Sequence, residues 1–414
     1  MRIAVFYNNP YGGSGRIVYE YTRRLQERHE VRTFTLSPPG EGLAELETLQ
    51  PNRPVAFTGF SSPPSPFDRL YPLFMLAGLR TLKANYRRVA EEINGWADVA
   101  LVFPCIVTPA PLLLRFLQIP SVLLMGEPLR GYIEPPIERP YYASGRRLGS
   151  VSLFLDRYDP LQKLIKTIFW RLDVGNARSA RKVLAYSYYS REMLYRAYAV
   201  NAQVNYAGVD ANIFNPPVDE KRDNVVLSIG RVAPEKGHDF VIKSLALLQP
   251  SIRPRLVIAG DGGDGKEKKY LAQLAAERNV DVTFESSPHQ DDIITRYQRA
   301  KLVAFAPILE PFGFVPLEAM ACGTPVVGVR EGGVRETIAD EKGGFLVDRE
   351  PADMADKIAL LLSDKKLWHE QSQAGRKYVQ SVWRWDKSIE KLQTYLLQVL
   401  NHDSRPPRQP PFTA

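Results

Sequence analysis

Two glutamates separated by seven residues are the side chains in this sequence best placed to do chemistry. They begin and end the stretch Glu310-Pro-Phe-Gly-Phe-Val-Pro-Leu-Glu318. An apolar run that reads as a buried strand precedes it, and a helix with proline in its first turn is predicted within it. A carboxylate can accept hydrogen bonds from two sugar hydroxyls, and a helix N-terminus favours a phosphate. The pattern describes a nucleotide-sugar site, and a solvated glutamate plus a helix-start glutamate is the alternative.

Two cations flank a turn after another predicted strand. The sequence runs from Gly230-Arg231 to Lys236-Gly237, directly after the predicted strand 224–229. Arginine can grip a phosphate with two hydrogen bonds, and lysine acts on it as a point charge. Ligands of open parallel sheets bind at the carboxyl ends of the strands. The spacing therefore favours an anion site over two solvated surface cations.

Glycine-rich loops follow two further predicted strands. Gly12-Gly13-Ser14-Gly15 comes after the first strand, and Gly260-Asp261-Gly262 follows residues 255–259. Glycines at such positions let the backbone approach a phosphate or a nucleotide. The first loop lacks the dinucleotide-binding spacing, so no dinucleotide is implied. Asp261 could suggest a metal ligand, although no Asp-x-Asp occurs at a strand end.

The paired glutamates, which precede a Gly-x-Pro-Val strand at Gly323, closely resemble the motif of family-4 retaining glycosyltransferases, or glycosyl transferases group 1. This family has the GT-B fold, an α/β fold of two Rossmann-like doubly wound parallel-sheet domains that face a central cleft. The resemblance implies that Glu310 contacts the transferred sugar and Glu318 the ribose hydroxyls. It implies that Arg231 and Lys236 bind the donor diphosphate.

The resemblance also implies a metal-independent reaction without a cofactor, in which a mannose- or glucose-type hexose passes from a UDP- or GDP-sugar to a glycan or lipid-linked acceptor. Glu310, Arg231 and Lys236 are the expected catalytic residues. The remaining donor-binding residues that it implies are Gly12, Gly13, Gly230, Asp261, Gly262, Phe312, Gly313, Phe314 and Glu318.

The first half of the chain departs from this family pattern. Many relatives carry a histidine near the segment Gly126-Glu127-Pro-Leu-Arg130, but no histidine lies between His29 and His238. Glu127 and Arg130 are candidates for acceptor contact because they follow a predicted strand. Alternatively, the two side chains pair with each other in a structural turn.

A chain of 414 residues is long enough for two domains. Alternating strands and helices predict two parallel-sheet domains, and the resemblance implies an acceptor domain over residues 1–215 and a donor domain over residues 216–384. In the resembled fold a final helix, here about residues 385–402, packs back on the first domain. The Pro-rich tail 403–414 is expected to be disordered.

The net charge of +8 lies wholly in the first half, where 26 basic residues in 1–215 oppose 18 acidic ones. Residues 146–182 carry nine basic and three acidic side chains around a helical apolar pattern. Such a helix either packs on the sheet or lies on an anionic membrane. No nucleic-acid motif accompanies the charge. Two cysteines without metal or disulfide spacing, and no signal-peptide pattern, predict a cytoplasmic protein. The basic helix leaves a peripheral position at the inner membrane face as the alternative to a protein free in solution.

Two other classes of function remain open at this point. A nucleotide-sugar epimerase or phosphorylase of the same shape would use a similar donor site without adding the sugar to an acceptor. A degenerate, non-catalytic partner subunit would fit the missing histidine. The intact set Arg231, Lys236, Glu310 and Glu318 argues against the second class.

Overall fold

The structure of the chain is a computed structural model. The described residues are 1–8, 13–36, 53–54, 71–105, 108–134, 137–141, 160–219, 221–260, 262, 265–286 and 290–401. Two predicted donor-binding residues, Gly12 and Asp261, and the tail 403–414 therefore lie outside the described residues.

The first half forms one parallel sheet. Among the described residues it has seven strands in the order β3-β2-β1-β4-β5-β6-β7. The strands are β1 Arg2–Asn8, β2 Glu30–Thr35, β3 Arg53–Pro54, β4 Val99–Cys105, β5 Ser121–Met125, β6 Lys182–Ala185 and β7 Gln203–Val204.

The second half forms another parallel sheet. Its six described strands follow the order β10-β9-β8-β11-β12-β13. They are β8 Val225–Ile229, β9 Arg255–Ala259, β10 Val282–Glu285, β11 Leu302–Phe305, β12 Val326–Val329 and β13 Gly344–Val347. The strand order reverses between β8 and β11, and the crevice at such a switch point is where open α/β sheets bind ligands.

Helices connect the strands of both sheets. They are α1 Gly13–Gln26, α2 Tyr71–Trp96, α3 Pro160–Ala177, α4 Tyr188–Tyr198, α5 His238–Ala246, α6 Lys266–Glu277, α7 Gln290–Arg299, α8 Phe314–Ala321, α9 Val334–Thr337, α10 Pro351–Ser363, α11 Lys365–Val382 and α12 Trp385–Asn401. In the described parts of the chain, no helix combines the length and hydrophobicity that a bilayer crossing requires.

The last helix, α12, packs against the first domain. The ring of Trp385 meets Tyr21 of α1 edge-on at 5.3 Å between centroids, and the hydroxyls of Tyr21 and Ser388 are 2.7 Å apart. Trp385 and Tyr21 belong to a buried apolar cluster that also includes Val303 of β11 and Met320 of α8. One core is therefore continuous through both domains.

From sequence pattern alone, a helix is predicted near Pro109–Leu117 and Ser190 is predicted as the cap of the helix after β6. Both local predictions were wrong. A helix was expected around residues 109–117, but the structure has only a 3₁₀ turn at Leu112–Arg115. The prolines at 109 and 111 offer no backbone N–H to a longer helix. Ser190 was expected to cap α4, but the cap is Ser187, whose extended backbone lets its Oγ accept the Ser190 N–H.

Candidate functional site

The loops that follow β8 and β11 meet at the switch point of the second sheet. Lys236, from the first loop, donates from Nζ to Oε2 of Glu310, in the second, over 2.8 Å. Each of these side chains is 21% exposed. A cation and a carboxylate that are distant in sequence thus share one partly open crevice.

Gly237 and His238 hold the Lys236 loop in place. Gly237 has a φ of +66°, and a Cβ there would lie 2.0 Å from the carbonyl oxygen of Ala306, so only glycine allows this approach to the end of β11. The buried His238 ring contacts Ser228 Oγ at 2.9 Å and the Arg231 carbonyl oxygen at 3.1 Å. Burial lowers the pKa of His238 to about 4, so the ring is neutral at pH 7.

The Arg231 guanidinium lies at the open edge of the same turn. Its side chain is 69% exposed and pairs with Glu235 Oε1 at 2.7 Å. An exposed ion pair of this kind is weak, so an incoming anion can compete for the guanidinium. A Cβ at Gly262 would contact the Arg231 side chain at 3.8 Å, which places Gly262 beside it. A Cβ at Gly230 would likewise contact the Lys236 side chain, so Gly230, Arg231, Lys236 and Gly262 lie close together beyond the carboxyl ends of β8 and β9.

The backbone around Glu310 is fixed from two sides. Arg349 donates to the carbonyl oxygen of Pro307 at 2.8 Å and pairs with Glu331. The Gly333 N–H donates to the Glu310 carbonyl oxygen at 2.7 Å. Leu309, the preceding residue, has a φ of +50°, a conformation that is uncommon outside glycine and costs free energy. Neighbouring contacts thus impose the orientation of Glu310.

Arg130 of the first domain supports the same loop. Its Nη1 donates to the Ile308 carbonyl oxygen and its Nη2 to that of Leu309, both at 2.7 Å. Its Nε donates to Glu127 Oε2 at 2.7 Å, so the predicted structural pairing is present. Burial raises the pKa of the Glu127 carboxyl, and Arg130 acts in the opposite direction. Arg130 therefore joins the domains, a role that the sequence did not predict.

The Phe312 ring is part of the core. It is 3% exposed and packs edge-on against the rings of Phe314 and Trp383. Any contact of Phe312 with a donor would therefore come from its backbone. Gly313, with a φ of +103°, is the N-cap of α8, and Phe314 begins that helix.

Glu318, unlike Glu310, is 3% exposed. Its Oε1 accepts a hydrogen bond from Arg16 of α1, and its Oε2 accepts one from the Tyr297 hydroxyl at 2.8 Å. Because α1 begins at Gly13, the Arg16 contact brings the N-terminus of α1 to α8. This N-terminus belongs to the glycine-rich segment that the sequence singled out. Gly13 and Glu318 are thereby placed at the same inter-domain boundary.

Glu336 fastens the two domains further along that boundary. Its carboxylate accepts the N–H groups of Tyr188 and Tyr189, at 2.8 and 2.9 Å, and the Tyr206 hydroxyl at 2.7 Å. Ser187 donates to the Pro311 carbonyl oxygen at 2.5 Å. The N-cap of α4 thus contacts the residue next to Glu310.

Sequence reasoning missed Arg16, Tyr297 and Glu336. Arg16 follows the glycine-rich loop within one helical turn, which is the one signal that could have pointed to it. The other two occupy ordinary helical positions. Within the described residues, no three His, Cys, Asp or Glu side chains form a group that could hold a metal ion.

Comparison with known proteins connects this geometry to a family. Residues 210–378 match the family model described as glycosyl transferases group 1. The D-inositol 3-phosphate glycosyltransferase of Salinispora arenicola is 32% identical over 223 residues, covering 48% of this chain and 50% of the relative. The enzyme of that name from Mycolicibacterium smegmatis is 34% identical over 185 residues, covering 41% and 42%. The chain thus spans half or less of these curated relatives.

Solved structures match nearly the whole chain. Anabaena HepE, solved in complex with UDP-glucose, superposes with a TM-score of 0.71 at 19% identity, covering 96% of this chain and 100% of that one. Sucrose-phosphate synthase from Thermosynechococcus elongatus gives a TM-score of 0.69 at 18% identity, covering 96% and 99%. The predicted GT-B fold and the resemblance to group 1 are confirmed.

Proposed function

We propose that this chain, whose residues 210–378 match the family model of glycosyl transferases group 1, transfers a hexose from a UDP- or GDP-sugar to a glycan or lipid-linked acceptor. The observation that carries the proposal is the Lys236–Glu310 contact at the switch point of the second sheet, with Arg231 at its open edge. Cations for a diphosphate and a carboxylate for a sugar lie side by side there.

Each group has a role in this proposal. Arg231 and Lys236 stabilise the negative charge that develops on the departing diphosphate, each lowering the barrier by about 2–4 kcal/mol. Glu310 orients the hexose and Glu318 orients the ribose, each by accepting hydrogen bonds from sugar hydroxyls. Gly12, Gly13 and Gly262 complete the donor site by backbone approach.

The proposed reaction retains the anomeric configuration and needs neither metal nor cofactor. The acceptor hydroxyl oxygen bonds to the anomeric carbon on the face from which the diphosphate departs. The bond between that carbon and the diphosphate oxygen breaks, and the acceptor proton passes to the diphosphate. Glu310 is therefore not assigned as a nucleophile. The UDP-glucose bound to Anabaena HepE, whose fold this chain shares, supports a donor of this class.

The test is donor binding followed by transfer. Thermal unfolding with UDP, GDP, ADP and their hexose conjugates should show a raised midpoint with one nucleotide series. Transfer with that donor should persist in EDTA and give a product whose anomeric configuration, read by NMR, matches the donor. Binding without transfer to glycan or lipid-linked acceptors would favour an epimerase or phosphorylase. No binding at all would favour the non-catalytic partner subunit.

Contact with an anionic membrane is part of the same proposal, which places the enzyme at the cytoplasmic membrane face. Helix α3 buries Ile165 and Phe169 but leaves Leu164 58% and Trp170 37% exposed among exposed basic side chains. These are Lys163, Lys166 and Arg171. Apolar and cationic groups on one exposed helix face suit an anionic lipid surface.

Flotation with vesicles tests this contact. The chain should float with phosphatidylglycerol vesicles at low salt and remain behind with phosphatidylcholine vesicles. Lys163→Glu with Lys166→Glu should abolish flotation, while Lys365→Glu with Lys366→Glu, on the second domain, should not. Flotation that is equal for all three proteins, or absent for the unaltered chain, would contradict the proposal.

A further inference from the structure

Arg16 connects the first domain to the carboxylate that the proposed function assigns to the ribose. It lies in the first turns of α1, and its guanidinium bonds Glu318 Oε1 of α8. The Arg16 side chain is 27% exposed and that of Glu318 only 5%. A carboxylate so far removed from water requires a charged or hydrogen-bonded partner, because an unpaired buried charge is strongly unfavourable.

The second oxygen of Glu318 is held from its own domain. Tyr297 is completely buried, and its hydroxyl lies 2.8 Å from Glu318 Oε2. Burial, together with the nearby carboxylate, raises the pKa of Tyr297 well above its ordinary value. The hydroxyl therefore stays protonated and donates to Glu318.

These two donors leave acceptor capacity on the carboxylate. An ionised carboxylate has about four lone-pair sites, and Arg16 and Tyr297 use one on each oxygen. The Arg16 guanidinium also lies 5.5 Å from the centre of the Phe214 ring, close enough for a cation–π contact. Its orientation is thus constrained on two sides, and the remaining lone pairs can receive a pair of adjacent hydroxyls.

We infer that Arg16 is a positioning residue for ribose recognition: it holds Glu318, across the domain boundary, in the orientation that accepts the 2′- and 3′-hydroxyls of the donor. The carboxylate belongs to the second domain, but its orientation depends on the first. Preference for a ribonucleotide over a deoxyribonucleotide is then a property of the assembled pair of domains. This inference rests on the proposed function, because it presupposes that Glu318 faces the ribose.

The experiment measures nucleotide affinity by calorimetry with three matched pairs: UDP and 2′-deoxy-UDP, GDP and 2′-deoxy-GDP, ADP and 2′-deoxy-ADP. The unaltered chain is compared with Arg16→Ala, Arg16→Lys, Glu318→Gln and the double variant Arg16→Ala with Glu318→Gln. Arg28→Ala is the control, because it removes the same charge from an exposed position just beyond α1. Circular dichroism verifies that each variant is folded.

Arg16→Ala should weaken the preferred ribonucleotide roughly ten-fold while changing the deoxy analogue much less. The ribo-to-deoxy preference should therefore approach one. Glu318→Gln should have the same effect. The double variant should bind the ribonucleotide no more weakly than Glu318→Gln alone, because both changes disrupt the same Arg16–Glu318 pair. Arg16→Lys retains a cation but lacks the planar guanidinium, so it should keep part of the preference for the ribonucleotide. If Arg16→Ala does not fold, the result for Arg16→Lys decides whether Arg16 positions Glu318.

The outcomes separate the two hypotheses. If Glu318→Gln removes the ribose preference and both Arg16 variants keep it, the inference about Arg16 is wrong and the proposed role of Glu318 stands. Tighter ribonucleotide binding by Arg16→Ala would show that Arg16 competes with the ribose, which also overturns the inference. If Glu318→Gln keeps the preference, or the unaltered chain binds no nucleotide, the ribose role of Glu318 fails as well.

Discussion

The two glutamates at the centre of this protein differ in how they are held. Glu310 is 21% exposed and pairs with Lys236 of its own domain. Glu318, eight residues later in the chain, has a side chain 5% exposed and pairs with Arg16 of the other domain. The contacts that we propose for the hexose and the diphosphate therefore lie mainly within one domain, whereas the carboxylate that we propose for the ribose depends on both domains. We expect substitution of Glu310 to affect hexose transfer most. We expect substitution of Glu318 to affect the preference for a ribonucleotide most.

The largest expected effect is loss of transfer in Lys236→Ala. Without this cation the departing diphosphate loses a charge-stabilising contact, so kcat should fall roughly 10²–10³-fold. The ribo-to-deoxy preference should stay unchanged, because it depends on Glu318. Steady-state kinetics and calorimetry measure the two quantities.

Lys366→Ala is the matched control for this change, because Lys366 is 89% exposed on α11. Full transfer activity in a folded Lys236→Ala protein would remove Lys236 from the proposed machinery. A changed ribose preference in the same variant would show that the two glutamates do not act separately.

A smaller effect, on stability, is expected from His238. This residue holds the loop that carries Lys236, the partner of Glu310, within the second domain. Its pKa is lowered from an ordinary 6.5 to about 4 by burial, so between these values the unfolded chain binds more protons than the folded one. Stability should be complete above pH 6.5 and should decrease by about 3 kcal/mol as the pH falls to 4. Urea unfolding across this range measures the slope.

The His238→Gln variant should lose that part of the pH dependence, whereas His369→Gln, at an exposed position of α11, should keep it. An unchanged slope in His238→Gln would assign the acid sensitivity to other groups.

The smallest effect is expected from Ser187→Ala. This variant tests whether the position of Glu310 depends on contact with the first domain. Loss of the α4 cap should cost about 1 kcal/mol of unfolding free energy. Loss of the bond to the Pro311 carbonyl oxygen should lower kcat roughly five-fold. Chemical unfolding and kinetics are the measurements, with the exposed Ser179→Ala as control. An unchanged kcat would mean that Glu310 needs no support from α4.

The sequence by itself determined the fold class and the residues of the second-domain loops. Arg231, Lys236 and Glu310 were predicted because each lies in a short segment between a recognisable strand and helix, where local pattern decides the position. Local pattern failed at Ser187 and around residues 109–117, where hydrogen bonds of the folded backbone chose the cap and the turn.

Only the tertiary structure decided what holds these residues. Arg16 meets Glu318 across 302 positions of sequence, and Arg130 meets the Leu309 carbonyl oxygen across 179. An arginine on a helix looks the same in sequence whether it faces solvent or a carboxylate of another domain. The packing of the two sheets decides which residue each arginine contacts, because burial of their shared apolar core brings those side chains together.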